Sequence, residues 1–191
     1  LYFNCDEFDC DAGDCLDECG ICMGDGSSCA GCAAGSGDVN DDGYMDILDV
    51  VAIVNEILDP TGDFAFDCAD YNGDGQMDIL DVVAIVNTIL DPRDDGATNA
   101  SFMKEHDRVV LESDGYVGAV QMTLAHGNDF SIELTNDAFV AQSHTDGNQT
   151  KLMIVNPGNE LFTAEGKFEI VETIAANGSD YINVINPDAI S

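Results

Sequence analysis

At 191 residues and 45% hydrophobic content, the chain can build more than one small core, and its composition is not that of a disordered protein. Thirty-eight acidic residues face five Lys and Arg, and a formal charge of -33 excludes nucleic acid as a partner. All five basic residues (Arg93, Lys104, Arg108, Lys151 and Lys167) follow position 92; the first 92 residues hold no Lys, Arg or His and would repel themselves unless hard cations sat among the carboxylates.

The opening zone, residues 1–37, is rich in Cys, Asp and Gly. Cys5, Cys10, Cys15, Cys19, Cys22, Cys29 and Cys32 crowd into it, and Cys68 brings the cysteine count to eight, an even number that suits disulfides in an oxidising compartment. The CxxC spacings at Cys19/Cys22 and Cys29/Cys32 also admit a zinc site. The neighbouring Asp6, Asp9, Asp11, Asp14, Asp17 and Asp25 favour calcium instead, because hard oxygen donors suit it. Pairing Cys68 with Cys32 would tie the two halves of the next zone together.

Residues 38–92 are a duplication. MDILDVVAIVN occurs at 45–55 and again at 77–87, an offset of 32 residues. In each copy a helix is expected to follow an acidic loop and to stop before Pro60 or Pro92. Ile47, Val50, Val51, Ile53, Val54, Ile57 and Leu58 form one apolar stripe at helical spacing. Leu48 falls off that stripe beside Asn55, and Leu80 and Asn87 repeat the arrangement, which makes these residues a candidate partner surface or a second packing face.

Each loop carries oxygen-bearing side chains at positions 1, 3, 5, 9 and 12 and glycine at position 6. In the first these are Asp38, Asn40, Asp42, Asp46 and Asp49, with the main-chain carbonyl of Tyr44 at position 7. In the second they are Asp70, Asn72, Asp74, Asp78 and Asp81, with that of Gln76. Calcium takes six to eight oxygens, and two loops in register predict two bound ions.

Residues 93–101 read as a linker, and residues 102–191 as an antiparallel β-sandwich of roughly seven to nine short strands separated by Gly, Asn and Asp. The sequons at Asn99, Asn148 and Asn177 are candidate glycan sites, expected in loops. His106, His126 and His144 are isolated, and no nucleophile elbow or phosphate loop is present in the sequence, so a catalytic function is not expected. No run of 18 apolar residues occurs. Residue 1 is not Met and no charged leader precedes an apolar run, so the chain reads as a mature form or an excerpt.

The DxNxDGxxDxxD pair at 38–92 resembles the type I dockerin, which implies a small two-helix domain folded around calcium. The resemblance also implies docking onto cohesin domains through loop positions 10 and 11, here Ile47, Leu48, Ile79 and Leu80. The stretches GAVQMTLAHG and LMIVNPGNELFTAEGKFEIV are similar to a cohesin-type sandwich. The order of a Cys/Asp-rich segment, a dockerin pair and a sandwich resembles the C-terminal parts of bacterial surface proteins exported by type 9 secretion. The expected class is therefore an α+β multi-module, extracellular, cell-surface protein without catalysis, assembling head to tail into a fibre with copies of itself through dockerin-sandwich or strand-addition contacts, or binding a cohesin-like domain. The alternatives are a docking appendage of a secreted polysaccharide-degrading enzyme and, with no Trp and 7% aromatic residues arguing against it, a carbohydrate-binding module.

Overall fold

The computed structural model describes residues 33–62, 66–90, 95–178 and 180–185. Seven of the cysteines and the six aspartates from Asp6 to Asp25 lie outside the described residues, as do the zinc and further calcium readings that rest on them.

Each copy of the duplicated segment forms a 12-residue helix, α1 (Ile47–Leu58) and, after it in the chain, a counterpart at Ile79–Leu90. Between them lies a single turn of helix, α2 (Phe66–Ala69), so the described residues of the region hold three helices where two were expected, and the later long helix is α3. The Asp70 N–H closes that turn on the Phe66 carbonyl at 2.9 Å just before the second loop begins. Asp46 caps α1 by accepting the Leu48 N–H at 2.7 Å, and Asp49 returns the bond from the Asp46 N–H at 2.9 Å, a reciprocal arrangement that satisfies two otherwise orphaned donors.

Among the described residues nine strands follow: β1 (Asn99–Glu105), β2 (Arg108–Ser113), β3 (Ala119–His126), β4 (Ser131–Leu134), β5 (Val140–Asp146), β6 (Gln149–Val155), β7 (Glu160–Glu165), β8 (Phe168–Ala176) and β9 (Asn183–Ile185). They form two sheets, β4-β7-β2-β1-β9 and β5-β6-β3-β8. All pairings are antiparallel except that of β9 with β1, which departs from the fully antiparallel sandwich expected. The chain leaves β8 in one sheet and enters β9 in the other, and such a crossover permits a parallel neighbour that a hairpin would forbid. Between the sheets Phe102, Leu111, Met122, Leu124, Leu152, Ile154 and Phe162 build the first core.

A second core joins the helices to the sandwich. Val50, Ile53 and Val54 of α1 and Val82, Val83, Ile85 and Val86 of α3 pack in one cluster with Ala119, Val140, Met153, Val155 and Ala176 on the outer face of the four-stranded sheet. Strand β6 is buried on both sides as a result. Leu152 and Ile154 face the sandwich interior, while Met153 and Val155 face the helices.

The helices come close to the sheet at Gly118, before β3, where a Cβ would fall 2.4 Å from Val83 Cγ1. Valine is stiff at χ1 and cannot swing away. Gly118→Val is therefore expected to push α3 off the sheet and lower stability by about 1–3 kcal/mol, read as a lower denaturant midpoint. An unchanged midpoint would contradict this helix-to-sheet contact.

Candidate metal centre and docking surface

The two loops fold alike because their carboxylates gather main-chain N–H groups. Asp38 accepts from the Asp42 N–H at 3.2 Å and the Gly43 N–H at 3.0 Å, Asn40 Oδ1 accepts from Asp42 at 2.9 Å, and Asp42 accepts from Tyr44 at 2.9 Å. Asp70, Asn72 and Asp74 repeat each bond with Asp74, Gly75 and Gln76 at 2.8–3.0 Å. Gly43 at φ +88 and Gly75 at φ +85 make the sharp turn at position 6, in a backbone region that a side chain would strain.

Position 12 closes each loop from below. Asp49 accepts the Val39 and Asn40 N–H groups at 2.9 and 3.2 Å, and Asp81 accepts the Asn72 N–H at 3.0 Å and the Asp78 N–H at 2.9 Å. Both carboxylates are fully buried. Burial pushes the Asp81 carboxyl up from its usual range, and the nearby Asp78 and Asp70 charges add to the shift against the bonds from Asp78 and Asn72.

All the expected side-chain ligands of 38–49 and 70–81 thus lie within their own loops, folded around shared amide bonds. Among the described residues no cluster of three or more His, Cys, Asp or Glu side chains is drawn together tightly enough to hold a metal by those groups alone. The donor set nevertheless fits a hard cation: every candidate is an oxygen, each carboxylate keeps lone pairs beyond those used by the amides, and two buried carboxylates have no basic partner among their hydrogen bonds.

The sandwich reaches the second loop. The Tyr181 O–H donates to Asp78 Oδ2 at 2.6 Å across 103 residues of chain, and this bond, with burial, pushes the phenol up to about 12.

The repeated helix faces differ in exposure. Ile47 and Leu48 are 40% and 58% exposed, whereas Ile79 is 1% exposed and Leu80 is half-buried against the second core. Asn55 is exposed and Asn87 half-buried. The apolar stripe expected through Ile47 therefore holds in the core for Val50, Ile53, Val54 and Leu58, but Ile47 stands largely outside it. Sequence reasoning missed this inequality and the helix-to-sheet core. One signal for the core was present, since LMIV in β6 is an unbroken apolar run where other strands alternate.

Elsewhere, Cys68 is buried and is not a free thiol. Of the sequons, Asn99 opens β1, Asn148 lies in the turn between β5 and β6, and Asn177 lies after β8. Each amide nitrogen already donates a hydrogen bond: Asn99 to Asp114, Asn148 to the His126 carbonyl and Asn177 to the Ala97 carbonyl. The Asn99 N–H and side-chain amide, followed by the Thr98 groups, hold the Asp114 carboxyl well below the usual range. His126 stacks on Phe130 and bonds Thr150 at 2.8 Å, while His144 lies 3.5 Å from Asp59 beside the end of α1. No helix among the described residues is long and apolar enough to cross a membrane.

No curated protein matches the chain. Among solved structures it is similar to a non-cellulosomal cohesin from the hyperthermophilic archaeon Archaeoglobus fulgidus, at 14% identity over 48% of this chain and 82% of that one, with a TM-score of 0.29. Residues 36–90, which span both acidic loops and all three helices, match the family model of the dockerin type I domain.

Proposed function

We propose that the chain is a non-catalytic, extracellular docking protein whose dockerin region is held together by two calcium ions. The ligands are the side chains of Asp38, Asn40, Asp42, Asp46 and Asp49 with the Tyr44 carbonyl, and those of Asp70, Asn72, Asp74, Asp78 and Asp81 with the Gln76 carbonyl. The observation that carries this reading is the duplicated amide-bonded loop in a region without one basic side chain. The family match over 36–90 supports it.

The partner is a protein, met on the first copy through Ile47, Leu48 and Asn55, because these are exposed while Ile79 is covered by the chain's own fold. Head-to-tail assembly is the form of docking we favour, since one chain carries both a dockerin region and a sandwich, and a heterologous contact between copies can propagate.

Calorimetric titration of the chelated protein is expected to find two calcium ions per chain, and Asp42→Ala with Asp74→Ala to abolish both. Retained stoichiometric binding in the double variant would refute the ligand assignment. Sedimentation with calcium separates the partners. Concentration-dependent growth supports assembly of copies, and a monomer that captures a separate cohesin domain supports the enzyme-appendage role.

A further inference from the structure

Tyr181 sits just after a tight reversal in which the Asn177 N–H donates to the Asp180 carbonyl at 3.0 Å and the Asp180 N–H to Asn177 Oδ1 at 2.9 Å. The Gly118 N–H holds the Ala176 carbonyl at 2.8 Å, fixing the end of β8 beneath α3. Tyr181 is 54% exposed, so apolar burial does not explain its placement. Its hydroxyl makes a short, charge-assisted bond to a loop carboxylate, the kind that sets a side chain's orientation.

Asp78 is thereby committed at both oxygens: Oδ1 accepts the Leu80 N–H at 2.8 Å and caps α3, and Oδ2 accepts Tyr181. Asp46, the same residue of the first copy, makes the capping bond from Leu48 but receives no donor from the sandwich among the described residues. The loops share the amide bonds of positions 1, 3, 5 and 9; they differ in this tether, in the donors to position 12 (Val39 and Asn40 in the first, Asn72 in the second) and in the burial of the following isoleucine, 1% for Ile79 against 40% for Ile47.

We propose that Tyr181 is a positioning residue for the second calcium site, so that the sandwich organises this loop for the ion while the first loop must order itself. This rests on the calcium reading above. The site at 70–81 then fills first, and its ion in turn strengthens the grip of the sandwich on α3, since a ligand that favours an organised carboxylate also stabilises whatever organises it. Outer partners of ligating carboxylates govern affinity by about 10–100-fold, and the half-exposed phenol places Tyr181 near the lower end.

The test is calcium titration by calorimetry of the full chain in two backgrounds, Asp42→Ala to isolate the second site and Asp74→Ala to isolate the first, each with and without Tyr181→Phe. We expect the second site to weaken about 10-fold on loss of the hydroxyl and the first to change less than about twofold. General loosening of the fold would move both sites together and would overturn the proposal, as would an unchanged second site. If neither background binds calcium, the calcium reading falls and this inference falls with it. If both bind and Tyr181→Phe leaves them alike, the inference alone is lost.

Discussion

Withdrawal of calcium is expected to lower the melting temperature by about 10–20 °C and to expose apolar surface on the sandwich as well as on the helices. Two sites at 100-fold saturation contribute about 5 kcal/mol of linkage, and a protein of this length shifts by about 2–4 °C per kcal/mol. The second part follows from the shared core. The helices do not pack only on each other; Met153, Val155, Ala119 and Ala176 of the four-stranded sheet complete their cluster. With the ions gone, repulsion among the loop carboxylates frees the helix starts, and the outer sheet face loses its cover. Calorimetric melting in calcium and in chelator, with a dye that binds apolar surface, checks both statements. Unchanged melting in chelator, at a pH where the carboxylates are charged, would remove calcium from the account of stability.

Met153→Asp is expected to detach the helical region while leaving the sandwich folded. Met153 is fully buried, but its neighbours are the helices and not the interior between the sheets. An unpaired charge there costs about 3–5 kcal/mol if the helices stay, and far less if they leave and water reaches the carboxylate. Undocking is therefore the cheaper response. Met122→Asp provides the contrast, because Met122 lies in the core between the sheets, where no such escape exists. Limited proteolysis should yield a resistant fragment of about residues 95–185 from Met153→Asp and none from Met122→Asp. A resistant intact chain from Met153→Asp would show that the helices are not held by this face.

The duplication was the most legible feature. Loop positions 1, 3, 5, 9 and 12 with glycine at 6 needed only counting, and the structure places each of those carboxylates on amides of its own loop. The sandwich was legible as short strands between turn residues because local periodicity reports which face is covered. Nothing local reports what covers it. Gly118 looks like an ordinary turn residue until Val83 is found against it, and Tyr181 like an exposed aromatic until its hydroxyl meets Asp78.

The amino-acid sequence by itself determined two copies of one loop and helix, their oxygen donors, their caps and their apolar stripes, since these depend on residues at most a dozen positions apart. A tandem repeat read this way has to be symmetric. Only the tertiary structure broke the symmetry, by seating α3 against the end of β8 and giving Asp78 a partner that Asp46 lacks. Two near-identical segments cannot occupy the same place against one sheet: both helices pack on it, but the second loop is tethered and Ile79 covered, while the first is left with Ile47 and Leu48 facing solvent.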